Sequence, residues 1–93
     1  MPFEFDPAKD AANRAKHRLS LSAALAVFDG PFIEEVDERS DYGETRFIAI
    51  GPIPAVGGRL FIVVYTWRNA QRRVISFRKA NDREARKYHD SNA

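Results

Sequence analysis

The chain contains no cysteine among its 93 residues, which excludes disulfide bonds and thiolate chemistry. It also lacks any apolar run near the roughly 20 residues that a membrane-spanning helix needs. The opening segment, MPFEFDPAKD, carries acids where a signal peptide has a basic start followed by an apolar stretch. These absences predict a cytoplasmic protein that does not enter a membrane.

The residues that are present suit one small globular domain. Apolar residues make up 44 % of the chain and charged residues 30 %, which are ordinary proportions for a folded protein. A chain of this length can bury a modest core and fold alone. We therefore treat residues 1–93 as a single domain, without repeats or internal linkers.

The net charge of +2 is unevenly distributed along the chain. Residues 29–46 hold seven acids and two arginines, whereas residues 68–88 hold eight basic residues and two acids. A concentrated basic patch attracts phosphate groups, and an acidic segment does not. The second segment therefore favours a nucleic-acid partner, with an acidic protein as the alternative.

Helix signals lie at both ends of the chain. Asp6-Pro7 predicts a helix start, and that helix should run to about His17. Ser20 can cap a second helix, LSAALAVF, which Asp29-Gly30-Pro31 ends. Near the other terminus, Asn81 and Glu84 have the spacing of a capping box, so a last helix should begin at about Asp82.

Between these helices the hydrophobic period is that of strands. Four strands are predicted, the last two being rich in β-branched and aromatic residues: 32–36, 44–51, 59–68 and 71–79. The polar segment 37–43 and the turn-rich segment 52–58 connect the first three. The predicted architecture is α+β, with two N-terminal helices, a four-stranded mostly antiparallel sheet and a C-terminal helix.

A two-residue turn at Asn69-Ala70 would set the register of the last two strands. It predicts a core face on which Ile62 pairs with Phe77, and Val64 with Ile75. The opposite face would then mix aromatic and cationic groups in four pairs: Phe61–Arg78, Val63–Ser76, Tyr65–Val74 and Trp67–Arg72. Stacking surfaces beside fixed cations are what unpaired RNA bases and their backbone require.

Motifs spread over nearly the whole chain resemble the BrnT family of type II toxins. The matching pieces occur in order with matching gaps: Phe5-Asp6-Pro7-x-Lys9, Asn13-x-x-Lys16-His17, Ser20 with Ala24-x-x-Val27-Phe28, Gly43-Glu44-x-Arg46 ending at Gly51, Val63-Val64-Tyr65-Thr66, Ile75-Ser76, Arg78-x-Ala80 and Arg83-Glu84 followed by Tyr88. Three positions depart from the family pattern: Arg18 replaces a glycine, Trp67 stands where glutamate is common, and Phe77 replaces an alanine.

The resemblance implies a small ribonuclease with a fold similar to that of the RelE toxins. It also implies a BrnA-like antitoxin that neutralises the toxin, binds DNA and dimerises, giving a heterotetramer. No cofactor is expected. The sequence offers no dense cluster of metal ligands, because His17 and His89 lie far apart and in no recognised ligand spacing.

Metal-independent RNA cleavage needs a base for the 2′-hydroxyl, an acid for the leaving oxygen and cations for the charge on phosphorus. The candidate catalytic residues are Lys16, His17, Glu44, Arg46 and Arg78. Each has a structural alternative: Lys16 and His17 as partners of the helix dipole, Glu44 with Arg46 as an ion pair, and Arg78 as a strand-end surface residue. Glu44 would serve as the base if burial raised its pKa.

The candidate RNA-binding residues supply stacking surfaces or positive charge: Tyr65, Trp67, Arg68, Arg72, Arg83, Arg86 and Lys87. Tyr88 is better interpreted as a ring that anchors the last helix to the core. Two functions from different classes therefore stand side by side. One is a ribonuclease toxin whose basic cleft cuts RNA, and the other is a non-catalytic RNA- or protein-binding domain that uses the same patch.

Overall fold

The computed structural model describes residues 3–39 and 41–92. Three α-helices and five strands are present in this part of the chain. In order along the chain they are β1 Phe3–Phe5, α1 Pro7–His17, α2 Leu25–Phe28, β2 Ile33–Val36, β3 Phe47–Ile53, β4 Arg59–Arg68, β5 Gln71–Lys79 and α3 Asp82–Asn92. Short 3₁₀ turns occupy Leu21–Ala24 and Pro54–Val56. The α+β class is confirmed, and of the predicted polar loop 37–43 only Ser40 lies outside the described residues.

Helix α1 begins and ends where the local chemistry predicts. The Asp6 carboxylate accepts a hydrogen bond from the Ala8 amide at 2.8 Å, and Pro7 occupies the first turn. At the other end Arg18 adopts a left-handed conformation, with φ of 60°. Its amide donates to the Arg14 carbonyl, so this arginine closes the helix in a conformation that glycine adopts more easily.

The second predicted helix is only half α-helical. Residues Leu21–Ala24 form a 3₁₀ turn capped by the Ser20 hydroxyl, and only Leu25–Phe28 continue as α-helix. The buried residues of this stretch, Leu21, Ala24 and Val27, are three apart, which is the repeat of a 3₁₀-helix. Asp10 of α1 holds the start of the turn, because its carboxylate accepts from the Leu21 amide at 2.7 Å.

The sheet has five strands rather than the predicted four, in the order β1-β5-β4-β3-β2. Strands β4 and β5 have the predicted bounds, while β3 begins and ends later than predicted. The missed strand, β1, contains three residues and pairs in parallel with the start of β5. Its existence depends on a partner some 70 positions away, which no local period reveals.

The hairpin between β4 and β5 contains a bulge that the sequence analysis missed. Asn69 and Ala70 both have positive φ, as a type I′ turn requires, and the predicted pairs Tyr65–Val74 and Trp67–Arg72 are confirmed. Between Val64 and Tyr65 the register then shifts by one residue. Beyond this bulge the four predicted pairs are wrong. The observed pairs are Phe61–Lys79, Ile62–Arg78, Val63–Phe77 and Val64–Ser76.

The shift moves the residues of β5 beyond the bulge to the opposite face from the one predicted. One face, here called the α2 face, packs against the 3₁₀ turn and α2, and its buried strand residues are Ala49, Ile53, Phe61, Val63, Tyr65, Val74 and Phe77. The other face, here called the α3 face, packs against Tyr88 of α3 and contains Ile50, Ile62 and Val64. Arg78 pairs with Ile62 and so lies on the α3 face, not beside the aromatic rings as predicted.

Asn13 fastens α1 to the edge of β5 that β1 leaves uncovered. Its side-chain amide donates to the Phe77 carbonyl at 2.8 Å and accepts from the Phe77 amide at 3.1 Å. It thereby satisfies the backbone groups that a further paired strand would otherwise satisfy. This contact sets the position of the C-terminal end of α1, which carries Lys16 and His17.

Candidate active site

A cleft of about 210 Å³ lies between α1 and β5. Its lining includes cations from one side of the helix, Lys9 and Lys16, together with His17 and the hydroxyl residue Ser76. Residues 9, 13 and 16 are three or four apart, so one face of α1 supplies them all. The cleft therefore brings an imidazole, a hydroxyl and two ammonium groups together at the edge of the sheet.

The surroundings of His17 favour its neutral form. Its pKa is lowered first by partial burial, and then by the positive charges of Lys16 and Arg78. A neutral imidazole can accept a proton near neutral pH. Arg78, a predicted catalytic residue from a distant part of the chain, therefore acts on His17 through its charge, although it does not line this cleft.

Arg78 is held rigidly by Glu84. Its two terminal nitrogens donate to the two carboxylate oxygens of Glu84, each at 2.7 Å. The same carboxylate accepts from the Asn81 amide, while the Asn81 side chain accepts from the Glu84 amide, so the predicted capping box is confirmed. The hydrogen bonds from Arg78 are the main reason that the pKa of Glu84 is lowered. One carboxylate thus orients Arg78 and starts helix α3.

A second, larger groove of about 640 Å³ runs along α3 on the α3 face of the sheet, the face that also carries Arg78. Isoleucines 48, 50 and 62 line it, and four basic residues surround it: Arg39, Arg83, Arg86 and Lys87. The lining also contains the acids Glu35, Glu84 and Asp90. Two of the basic residues form salt bridges: Arg39 with Asp37, and Lys87 with Glu35. The predicted cationic side of α3 therefore borders a groove whose lining combines three isoleucines of the sheet with charged and polar residues.

Glu44 and Arg46 form the predicted ion pair at the far end of the sheet. Glu44 accepts from Arg46 at 3.3 Å and from Arg68 at 3.2 Å, and the Arg46 guanidinium lies 4.0 Å from the centre of the Tyr42 ring. Phe47, the residue after Arg46, aligns through Tyr65 with Val74. Arg78 is four residues further along β5, roughly 13 Å away at about 3.3 Å per residue.

The three remaining predicted residues lie on the α2 face. Tyr65 is fully buried, so its ring offers no surface to a base. Arg72 lies between aromatic rings of that face, and Trp67 is 49 % exposed at its rim. Tyr88, by contrast, is buried as expected, and its hydroxyl donates to the Pro31 carbonyl at 2.6 Å.

Several residues of this region were not predicted as site residues, among them Lys9, Asn13, Ser76 and Glu84. Lys9 could have been found from its spacing of seven from Lys16, which places both on one helix face. Ser76 could not, because the hairpin register that exposes it on the α3 face depends on the bulge.

The described residues contain neither a metal-binding cluster nor a membrane-spanning helix. No group of three or more His, Cys, Asp and Glu side chains there is arranged to hold a metal ion. None of the helices in the same residues combines the length and the apolar composition required to cross a bilayer.

Comparison with known proteins gives the family. The family model described as "Ribonuclease toxin, BrnT, of type II toxin-antitoxin system" matches residues 5–84, which include α1, the whole sheet from Phe5 onwards and the Arg78–Glu84 pair. A search of curated proteins finds no match. Since the family model covers most of the chain, this protein belongs to the BrnT family of ribonuclease toxins of type II toxin–antitoxin systems.

Proposed function

We propose that the chain is a metal-independent endoribonuclease, made up of one domain and working in the cytoplasm, whose active site is the cleft between α1 and β5. The observation that carries the proposal is the cleft that brings Lys16 and His17 of α1 together with Ser76 of β5, with the charge of Arg78 acting on His17. We also propose that the sheet and the helices packed on it have a fold similar to that of the RelE toxins.

His17 is the proposed general base. Its neutral imidazole takes the proton of a ribose 2′-hydroxyl, and the freed oxygen attacks the adjacent phosphorus. The bond from phosphorus to the 5′-oxygen breaks, and that oxygen leaves with a proton donated by an acid of the cleft. The products are a 2′,3′-cyclic phosphate and a free 5′-hydroxyl.

Arg78 and Lys16 are the proposed stabilisers of the transition state. The attack increases the negative charge on the phosphate oxygens, and fixed cations lower the energy of that state. Arg78 is suited to the task because Glu84 already holds its guanidinium in one orientation. Folding has therefore already ordered this long side chain, and little further conformational entropy is lost when it contacts the phosphate.

The basic residues along α3 are proposed to bind the RNA backbone. Arg83 and Arg86 surround the groove that continues the α3 face from Arg78, and Lys87 lies beside them. Arg68 would contact the strand at the other end of the face, while Glu44 and Arg46 stabilise that end through their ion pair. These contacts position phosphates and carry no sequence information.

A type II system pairs the toxin with a protein antitoxin, and we propose a BrnA-like partner that lies in the α3 groove and covers the cleft. The three isoleucines and four basic residues of that groove, which outnumber its three acids, suit an amphipathic, acidic segment. Dimerisation of the antitoxin would give a heterotetramer. A purified complex should then have no ribonuclease activity, and full activity in the complex would contradict inhibition by occupation of the cleft.

The proposal is tested by incubating the purified protein with single-stranded RNA in EDTA. We expect cleavage that leaves cyclic phosphate ends, and a His17→Gln variant that is folded but inactive. Cleavage that stops in EDTA and returns with a divalent ion would contradict the metal-independent mechanism. Binding without cleavage under all these conditions would identify the chain as a non-catalytic RNA-binding module.

A further inference from the structure

Arg72 lies in a cage of aromatic rings on the α2 face. Its guanidinium carbon is 4.1 Å from the centre of the Phe28 ring and 4.7 Å from that of Trp67, with Tyr65 at 5.4 Å and Phe32 at 5.9 Å. Such cation–π contacts hold the cation in place without neutralising its charge. The cage therefore presents a fixed positive charge beside the half-exposed ring of Trp67.

Two buried polar atoms of this cage have no hydrogen-bond partner among the described residues. They are the Arg72 Nε and the hydroxyl oxygen of Tyr65. Tyr65 is fully buried, and its ring packs edge-on against Phe28 and Trp67. Both groups can donate a hydrogen bond, and leaving buried donors unpaired is costly. The rings enclose these two atoms, so an anion would meet the cage through the charge of the guanidinium, which no carboxylate of the described residues pairs with.

The neighbours of the cage favour a nucleotide as the source of that anion. Arg68 and Arg73 directly adjoin Trp67 and Arg72 in sequence and carry positive charge around the end of the sheet, although Glu44 and Glu4 partly balance them. Trp67 keeps 49 % of its surface exposed, so a base can stack on it while a phosphate binds the cation. A protein carboxylate would use the cation but not the ring.

The cage is well separated from the proposed cleavage site. Arg72 and Arg78 lie six residues apart on β5 and on opposite faces, so about 20 Å of strand divides them. We infer that Arg72 and Trp67 form a nucleotide subsite, which holds the RNA strand as it passes over the end of the sheet from the α3 face. The inference rests on the proposed function for its ligand, and it adds a contact outside the cleft.

Trp67 is the only tryptophan in the chain, so its fluorescence reports this site alone. The probe is a single-stranded 2′-O-methyl oligouridine of about eight nucleotides, which lacks the hydroxyl needed for cleavage. We expect saturable quenching, and an affinity roughly 10-fold lower in Arg72→Gln, in line with losses measured when stacking or cationic contacts are removed.

Arg59→Gln is the matched control, because Arg59 is exposed at the opposite end of β4 and the charge change is the same. If Arg72→Gln does not fold, Arg72→Lys is used instead, because it keeps the positive charge. Oligouridine should quench Trp67 of this variant with an affinity between the wild-type value and the roughly 10-fold lower one. Equal affinities for Arg72→Gln and Arg59→Gln would overturn the inference. So would an unchanged Trp67 signal with bound oligouridine, or quenching by acetyl-hexaglutamate but not by oligouridine.

The readout is independent of catalysis. If the protein fails to cleave RNA but Trp67 is quenched in an Arg72-dependent manner, the subsite stands and the proposed catalytic activity alone is wrong. If RNA is cleaved while Trp67 remains unaffected by the bound oligouridine, the subsite alone is wrong.

Discussion

Replacing Arg78 with alanine should reduce both the cleavage rate and the stability of the start of α3. The side chain is 29 % exposed and makes two hydrogen bonds of 2.7 Å to Glu84. Under the proposed mechanism the same guanidinium stabilises the charge on the reacting phosphate. The substitution therefore removes one group with two functions, and the experiment must measure them separately.

The two effects differ in size. Loss of a fixed donor in comparable oxyanion sites costs about 2.7–4 kcal/mol of transition-state energy, which predicts a cleavage rate reduced by roughly 100-fold or more. Loss of a partly exposed, charge-assisted pair should lower the free energy of unfolding by about 1 kcal/mol. In a domain of this size that corresponds to a decrease of roughly 4–8 °C in melting temperature.

Glu84→Gln is the informative companion variant. Glutamine retains the capping hydrogen bond to the Asn81 amide but removes the charge that faces Arg78. It should lower the melting temperature about as much as Arg78→Ala does, whereas its cleavage rate should fall far less, because the cation remains. Arg78→Lys should restore part of the rate, since an ammonium keeps the charge but loses the two-pronged geometry.

The assay is single-turnover cleavage of a fluorescent RNA at a temperature well below the melting point of every variant. Circular dichroism melts give the stability of each. If Arg78→Ala cleaves at the wild-type rate while folded, Arg78 has only a structural function. If Glu84→Gln loses as much activity as Arg78→Ala, the positive charge of Arg78 is not sufficient, and the rate depends on the orientation that Glu84 gives to Arg78 and to the start of α3.

Three further predictions concern pH and packing. The cleavage rate should rise with pH through a pKa below 6.5, because His17 must be neutral and its pKa is lowered; a rate with no such rise would exclude His17 as the base, and a midpoint at or above 6.5 would contradict the lowered pKa. Asp37, whose pKa is lowered to about 2 chiefly by hydrogen bonds from Arg39, stabilises the fold above pH 3.8. That contribution should disappear between pH 3.8 and about 2, and acid titrations of Asp37→Asn should lack this step. Gly51→Ala should lower the free energy of unfolding by about 1–3 kcal/mol in chemical denaturation, because the added Cβ would lie 2.9 Å from the Phe32 Cβ. An unchanged free energy of unfolding would mean that Phe32 and α2 can move away from β3 to make room.

Elements defined by local chemistry were predicted accurately from the sequence. Strands β4 and β5 have the predicted bounds, because most of the ten residues of β4 are β-branched or aromatic and the turn at Asn69-Ala70 pairs β5 with them. The caps at Asp6 and Asn81 were also predicted correctly, since each cap involves hydrogen bonds within three residues. The second helix was predicted less well, because α and 3₁₀ segments share nearly the same hydrophobic spacing.

The sequence named three residues of the proposed site but did not predict how they are arranged on the sheet. Lys16, His17 and Arg78 were all named from the sequence, yet Arg78 was placed on the wrong face of the sheet. The extra residue in β5, Ile75, moves Ser76 and Arg78 to the other face, because side chains alternate along a strand. Tyr65 was assigned to an exposed surface for a separate reason: its pairing with Val74 was predicted correctly, but the 3₁₀ turn and α2 cover that face of the sheet.

What the sequence alone determined is the family, the charge of the second half of the chain and the local elements. Each of these depends on residue types or on contacts between near neighbours. The tertiary structure decided which side chains share a face, through the bulge in β5 and the bonds from Asn13 to Phe77, 64 positions away. A backbone contact over that distance depends on the packing of α1 against the whole sheet, so no short stretch of residues specifies it.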